Sequence, residues 1–112
     1  MDKDEYITNF ILEESHEDTL PLWELFSRAE HLFDGPINER RRALALIVSA
    51  LVESGRLELI FMPDGSDWSQ HWVIPRHLSR EFIDDSLSWR LPRVTPNGST
   101  FALESSASIT SP

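Results

Sequence analysis

Apolar residues recur at helical spacing in four stretches of this chain, and a segment between the third and fourth reads as sheet. Over 4–14, Tyr6, Ile7, Phe10 and Ile11 fall on one side of a short helix while acids fill the other. A second helix is expected to open at Thr19, whose hydroxyl can cap free N–H groups, with Pro21 in the first turn where its missing N–H does no harm. Leu22, Leu25, Phe26, Ala29 and Phe33 then stand at i, i+3, i+4, i+7 and i+11, one continuous stripe. Gly35, able to adopt the left-handed cap conformation, and Pro36, unable to extend a helix, end it.

Asn38 predicts the N-cap of a third helix with the stripe Leu44, Ile47, Val48 and Leu51, closed by Gly55. Ala43, Ala45, Ala50 and Val52 broaden its apolar face, which makes it the expected centre of the core. The run over 57–62 reads as a strand, 63–67 as a turn and 70–74 as a second strand, together a hairpin. Pro75 opens a fourth helix carrying Leu78, Phe82, Ile83 and Leu87, with Trp89 at its end. Beyond Arg90 the pattern weakens. Asn97 and Gly98 form a two-residue turn signal between Arg93-Val94 and Thr100 to Leu103, an expected small C-terminal hairpin. The whole predicts an α+β fold, mostly helical, with about four helices and a β-hairpin in winged-helix-like order. Residues 1–104 form its single globular domain and 105–112 a serine-rich flexible tail.

Length and composition narrow the classes. With 112 residues, 40% of them hydrophobic and 26% charged, the chain suits one globular core. The longest apolar run, from Ala43 to Val52, is broken by Ser49 and falls short of the ~20 residues needed to cross a bilayer. The first five residues, Met-Asp-Lys-Asp-Glu, are acidic where a secretory signal is basic, and there is no cysteine for a disulfide. A cytoplasmic location is the expectation. The net charge of −9 is concentrated: residues 1–30 hold nine acids against Lys3 and Arg28, leaving −7 there and −2 in the remainder. Such a field repels phosphate backbones and speeds encounter with a basic partner.

Catalytic signatures are missing from the sequence. There is no glycine-rich phosphate loop and no Gly-x-Ser-x-Gly elbow, and His16, His31, His71 and His77 lack metal-finger spacing. Asp67, His71 and His77 read as ordinary surface residues, and neighbouring acids such as Glu13 and Glu14 point apart on a helix. Neither enzyme activity nor a cofactor or metal is expected. Arg40, Arg41 and Arg42, in the first turn of the third helix, oppose its dipole at a cost of a few tenths to about 1 kcal/mol each when exposed. They require a compensating partner, either acids of the protein itself or a bound anion. Four tryptophans are also unusual, and Trp23, Trp68 and Trp72 fit the stripes poorly.

Two resemblances follow. The order helix, helix, turn, helix, hairpin, helix over 19–85 resembles the winged-helix arrangement, with 42–57 in the place of the recognition helix and the entry to the wing. That resemblance implies a DNA-binding regulator contacting phosphates through Arg40, Arg41 and Arg42, although Leu46, Ile47, Val48 and Leu51 dominate where such a helix exposes polar residues. In size, acidity, lack of cysteine and aromatic content the chain is also similar to the small cytoplasmic immunity proteins of bacterial toxin systems, including contact-dependent growth inhibition. The segment 23–35, Trp-Glu-Leu-Phe-Ser-Arg-Ala-Glu-His-Leu-Phe-Asp-Gly, carries that likeness. It implies a cognate basic toxin, often a nuclease, blocked by an acidic surface. The expected contacts are Glu13, Glu14, Glu17 and Asp18, with Trp23 and the hairpin tip Asp64, Asp67 and Trp68. Immunity is the first reading and the regulator the second. Nucleic acid and membrane are not the expected partners.

Overall fold

Among the described residues of the computed structural model, four α-helices pack against a four-stranded antiparallel sheet, an α+β architecture. The structure describes residues 2–63, 69–91 and 98–106. In chain order the elements are α1 (Lys3–Glu17), β1 (Leu20–Pro21), α2 (Leu22–Ala29), α3 (Ile37–Glu53), β2 (Leu57–Met62), β3 (Trp72–Val73), α4 (Arg76–Asp84) and β4 (Thr100–Ser105). Short 3₁₀ turns follow α2 over Glu30–Leu32 and α4 over Ser86–Trp89. No helix among the described residues is long and apolar enough to cross a membrane.

The third helix is the core's central element, as its stripe predicts. Leu44, Val48 and Leu51 are buried with Ala45 and Val52, whereas Ile47 is only half-buried and Ala50 is exposed. The buried arc is therefore rotated toward Ala45 and Val52. Helix α3 starts two residues earlier than an N-cap at Asn38 implies, with Pro36 at the N-cap and no side-chain cap. Its end follows expectation. Gly55, at φ +82°, donates to the Val52 carbonyl at 3.0 Å and Arg56 donates to Leu51 at 3.1 Å, the paired bonds of a Schellman cap.

Long-range pairing overrides the local signals around Thr19. Leu20 and Pro21 form an edge strand opposite Leu103 and Ala102 of β4, and helix α2 begins only at Leu22, with Pro21 at its N-cap. An edge position tolerates a residue without an N–H donor. Helix α2 also ends early, at Ala29, and Phe33 reaches the core through the 3₁₀ turn and an extended residue rather than a further helical turn.

Strand β2 covers the predicted residues and pairs with β4 over its whole length, from Leu57 opposite Ser105 to Met62 opposite Thr100. Residues 100–105 therefore lie inside the sheet, in the order β1-β4-β2-β3, between strands far away in sequence. The Arg93-Val94 half of the expected C-terminal hairpin lies outside the described residues, as do 107–112; the strand itself extends to Ser105, within the segment expected as tail. Among the described residues the 57–74 hairpin is present but shorter, with Trp72 and Val73 paired to Phe61 and Ile60 and the Ile74 N–H donating to the Leu59 carbonyl at 2.8 Å.

Helix α4 packs along α3, fastened by an Arg80–Glu53 ion pair at 3.3 Å. It stops at Asp84 rather than running on toward Trp89. The Asp85 carboxylate accepts from the Leu87 N–H at 3.0 Å and starts the 3₁₀ turn, which brings Trp89 back under the helix. There the Trp89 indole N–H donates to the Ile83 carbonyl at 2.7 Å, and Arg41 Nη1 donates to the Asp84 carbonyl at 3.1 Å. Two terminal carbonyls of α4 thus find donors from other elements.

Candidate functional site

Helix α1 presents one face to the core and another to solvent, and the division differs from that implied by its apolar residues. Ile7, Ile11 and Ser15 are buried, Phe10 is half-buried, and Tyr6 is 54% exposed. At 100° per residue, Tyr6, Phe10, Glu13 and Glu17 stand at i, i+4, i+7 and i+11, a single outward stripe of two aromatics followed by two carboxylates. Tyr6, Asn9, Phe10 and Glu13 line a shallow groove of about 230 Å³ along it. Neither Glu13 nor Glu17 makes an ion pair among the described residues.

The other two acids expected at the site, Glu14 and Asp18, have internal partners. Glu14 accepts from Arg28 Nη2 at 3.2 Å, and the same guanidinium lies 4.8 Å from the centre of the Phe10 ring. Phe10 thereby already receives a cation on one side. Asp18 terminates α1, its carboxylate accepting from the Thr19 N–H at 2.8 Å while the residue remains exposed. Trp23 is half-buried on α2. Asp64, Asp67 and Trp68, expected at the hairpin tip, lie outside the described residues. On the described part of that hairpin, Trp72 is 62% exposed and stacks on Phe61 with ring centres 5.8 Å apart.

The arginine triplet divides three ways. Arg40 donates to Glu30 Oε2 at 2.8 Å and to the Gly35 carbonyl at 2.7 Å, closing the loop between α2 and α3. Arg41 is buried against the end of α4, and Arg42 alone is exposed, beside Leu46 and Asp84. For Arg40 the compensating acid is Glu30. Arg40 is therefore committed to internal partners, Arg41 is buried rather than on the outer face of α3, and α4 occupies part of the flank of α3.

Sequence reasoning missed Tyr6 and Phe10 as surface groups, because apolar spacing alone assigned both to the core. A signal was present: Ile7, Ile11 and Ser15 make a narrower buried stripe, leaving Tyr6 on the side of Glu13 and Glu17. No protein-family model, curated protein or solved structure matches the chain.

Proposed function

We propose that the protein is an immunity-type inhibitor that captures a basic partner, a cognate toxin, on the outward stripe of α1. The observation that carries this reading is the shallow groove that Tyr6 and Phe10 share with Glu13, one turn before Glu17 on the same stripe, both carboxylates without an ion pair among the described residues. A lysine or arginine of the partner fits such a groove, its alkyl stem against the rings and its charge on the carboxylates. The concentration of charge supports the same reading, since −7 of the −9 lies within residues 1–30. Exposed Trp72 offers a second aromatic contact at the sheet edge. In this reading the protein acts in the cytoplasm and uses neither a cofactor nor a metal.

The experiment is protection from the toxin. If the gene immediately upstream encodes a secreted protein with a basic C-terminal domain, co-expression of the present chain restores growth of cells making that domain. The double variant Glu13→Lys/Glu17→Lys, folded by circular dichroism, loses the protection. No protection by the unaltered protein, or full protection by the double variant, defeats the proposal.

A further inference from the structure

A second cleft, of about 430 Å³, opens between the first turn of α3 and the 3₁₀ turn Ser86–Trp89. It shares no residue with the α1 stripe. In a chain of net charge −9 its lining contains no acid but has two arginines, Arg41 and Arg90. Arg41 is only 8% exposed, and no carboxylate lies within ion-pair distance of it among the described residues. Among the described residues its hydrogen-bond partner is a neutral one, the Asp84 carbonyl, and its Nε is buried without an acceptor. A buried guanidinium in that state lacks a counter-charge, a costly condition that an anion bound beside it relieves. Arg90 is exposed and likewise makes no ion pair among the described residues.

The helix end agrees in sign. Helix α3 has no side-chain cap, and the positive end of a 17-residue helix dipole meets the cleft at Ile37 and Asn38. Besides Ser86, the remaining walls are apolar: Phe26 and Trp89, in edge-to-face contact with centres 6.3 Å apart, and Ile37, 63% exposed.

We propose that this cleft binds a small monocarboxylate carried on an aromatic or branched apolar group. The positive charges of Arg41 and Arg90 match a carboxylate, while Phe26, Ile37 and Trp89 take the apolar part. A free phosphate fits less well, because its dianion gains nothing from those walls and is repelled more strongly by the net negative field.

Phenylacetate, phenylacetamide and inorganic phosphate serve as probes in ¹⁵N NMR titrations of the full chain. Phenylacetate should give saturating shifts at the Ile37 and Asn38 amides and the Trp89 indole N–H. Phenylacetamide, isosteric but neutral, should bind at least about tenfold more weakly, as should phenylacetate to the fold-neutral surface variant Arg90→Gln. Arg41→Met, which keeps the buried volume, should abolish the response with the rest of the spectrum intact. Several outcomes overturn the proposal: no saturation by phenylacetate below about 10 mM, equal binding of acid and amide, full binding by both variants, or saturation by phosphate alone.

Discussion

Ile47 and Leu44 occupy the same predicted stripe, yet only Leu44 is fully enclosed, and this difference sets what each substitution does. Leu44→Ala removes buried atoms from a site that neighbouring elements hold open, and should lower stability by about 2–5 kcal/mol. Ile47→Ala, at a half-buried position, should cost clearly less, about 1–2 kcal/mol. Urea melts of both variants measure the order, and equal losses would place Ile47 in the centre of the core. The reason periodicity overestimates Ile47 is geometric: Ala45 and Val52, read as broadening the face, mark the side toward which the buried arc turns. Tyr6 shows the same limit on α1. Hydropathy counts a tyrosine as apolar, but its position beside Glu13 decides which way it faces.

Elements were legible where their ends are written in local chemistry. Helix α3 closes at Gly55 because only a residue free of Cβ strain adopts φ +82° readily, and Gly55→Ala should destabilise by about 1–2 kcal/mol. The Cβ so introduced would stand 3.1 Å from Arg76 Nη2, the movable end of a long side chain, so backbone strain and not collision dominates the loss. Thermal melts should show it, and an unchanged midpoint would rule out the Schellman cap as the source of closure. Strand β2 was equally plain, since its residues alone suit a pleated, buried surface. What stayed hidden depends on distant partners. Pro21 joins a strand only because Leu103 and Ala102 return beside it, and α4 breaks because Asp85 and Trp89 supply hydrogen bonds that periodicity does not register. The acids of the candidate site were visible as a charge cluster, but its aromatic half required knowing the rotation of α1 against the sheet.

Charge and its arrangement govern the behaviour of the whole molecule toward partners. With −9 overall, Arg40 paired to Glu30 and Arg41 buried, binding to duplex DNA at physiological salt should be weaker than micromolar, which fluorescence anisotropy with random and promoter-like duplexes can measure. Submicromolar binding lost on Arg42→Ala would instead favour the regulator. Toward a basic protein the same field acts with opposite sign, and the α1 stripe separates its two contributions. Long-range attraction changes the rate of encounter, whereas a desolvated ring holds the complex once formed. Glu13→Lys/Glu17→Lys should slow association with the proposed basic toxin domain by about tenfold or more at low salt and flatten its salt dependence, with little change in release beyond the lost local pairs. Tyr6→Ala, at an exposed position that leaves the core untouched, should keep the association rate and speed release, by about 30-fold for a hot-spot loss near 2 kcal/mol. Stopped-flow and surface-plasmon measurements resolve the two. If both variants retain the parent kinetics while folded, the partner docks elsewhere and the acids of α1 serve only as a solvated face.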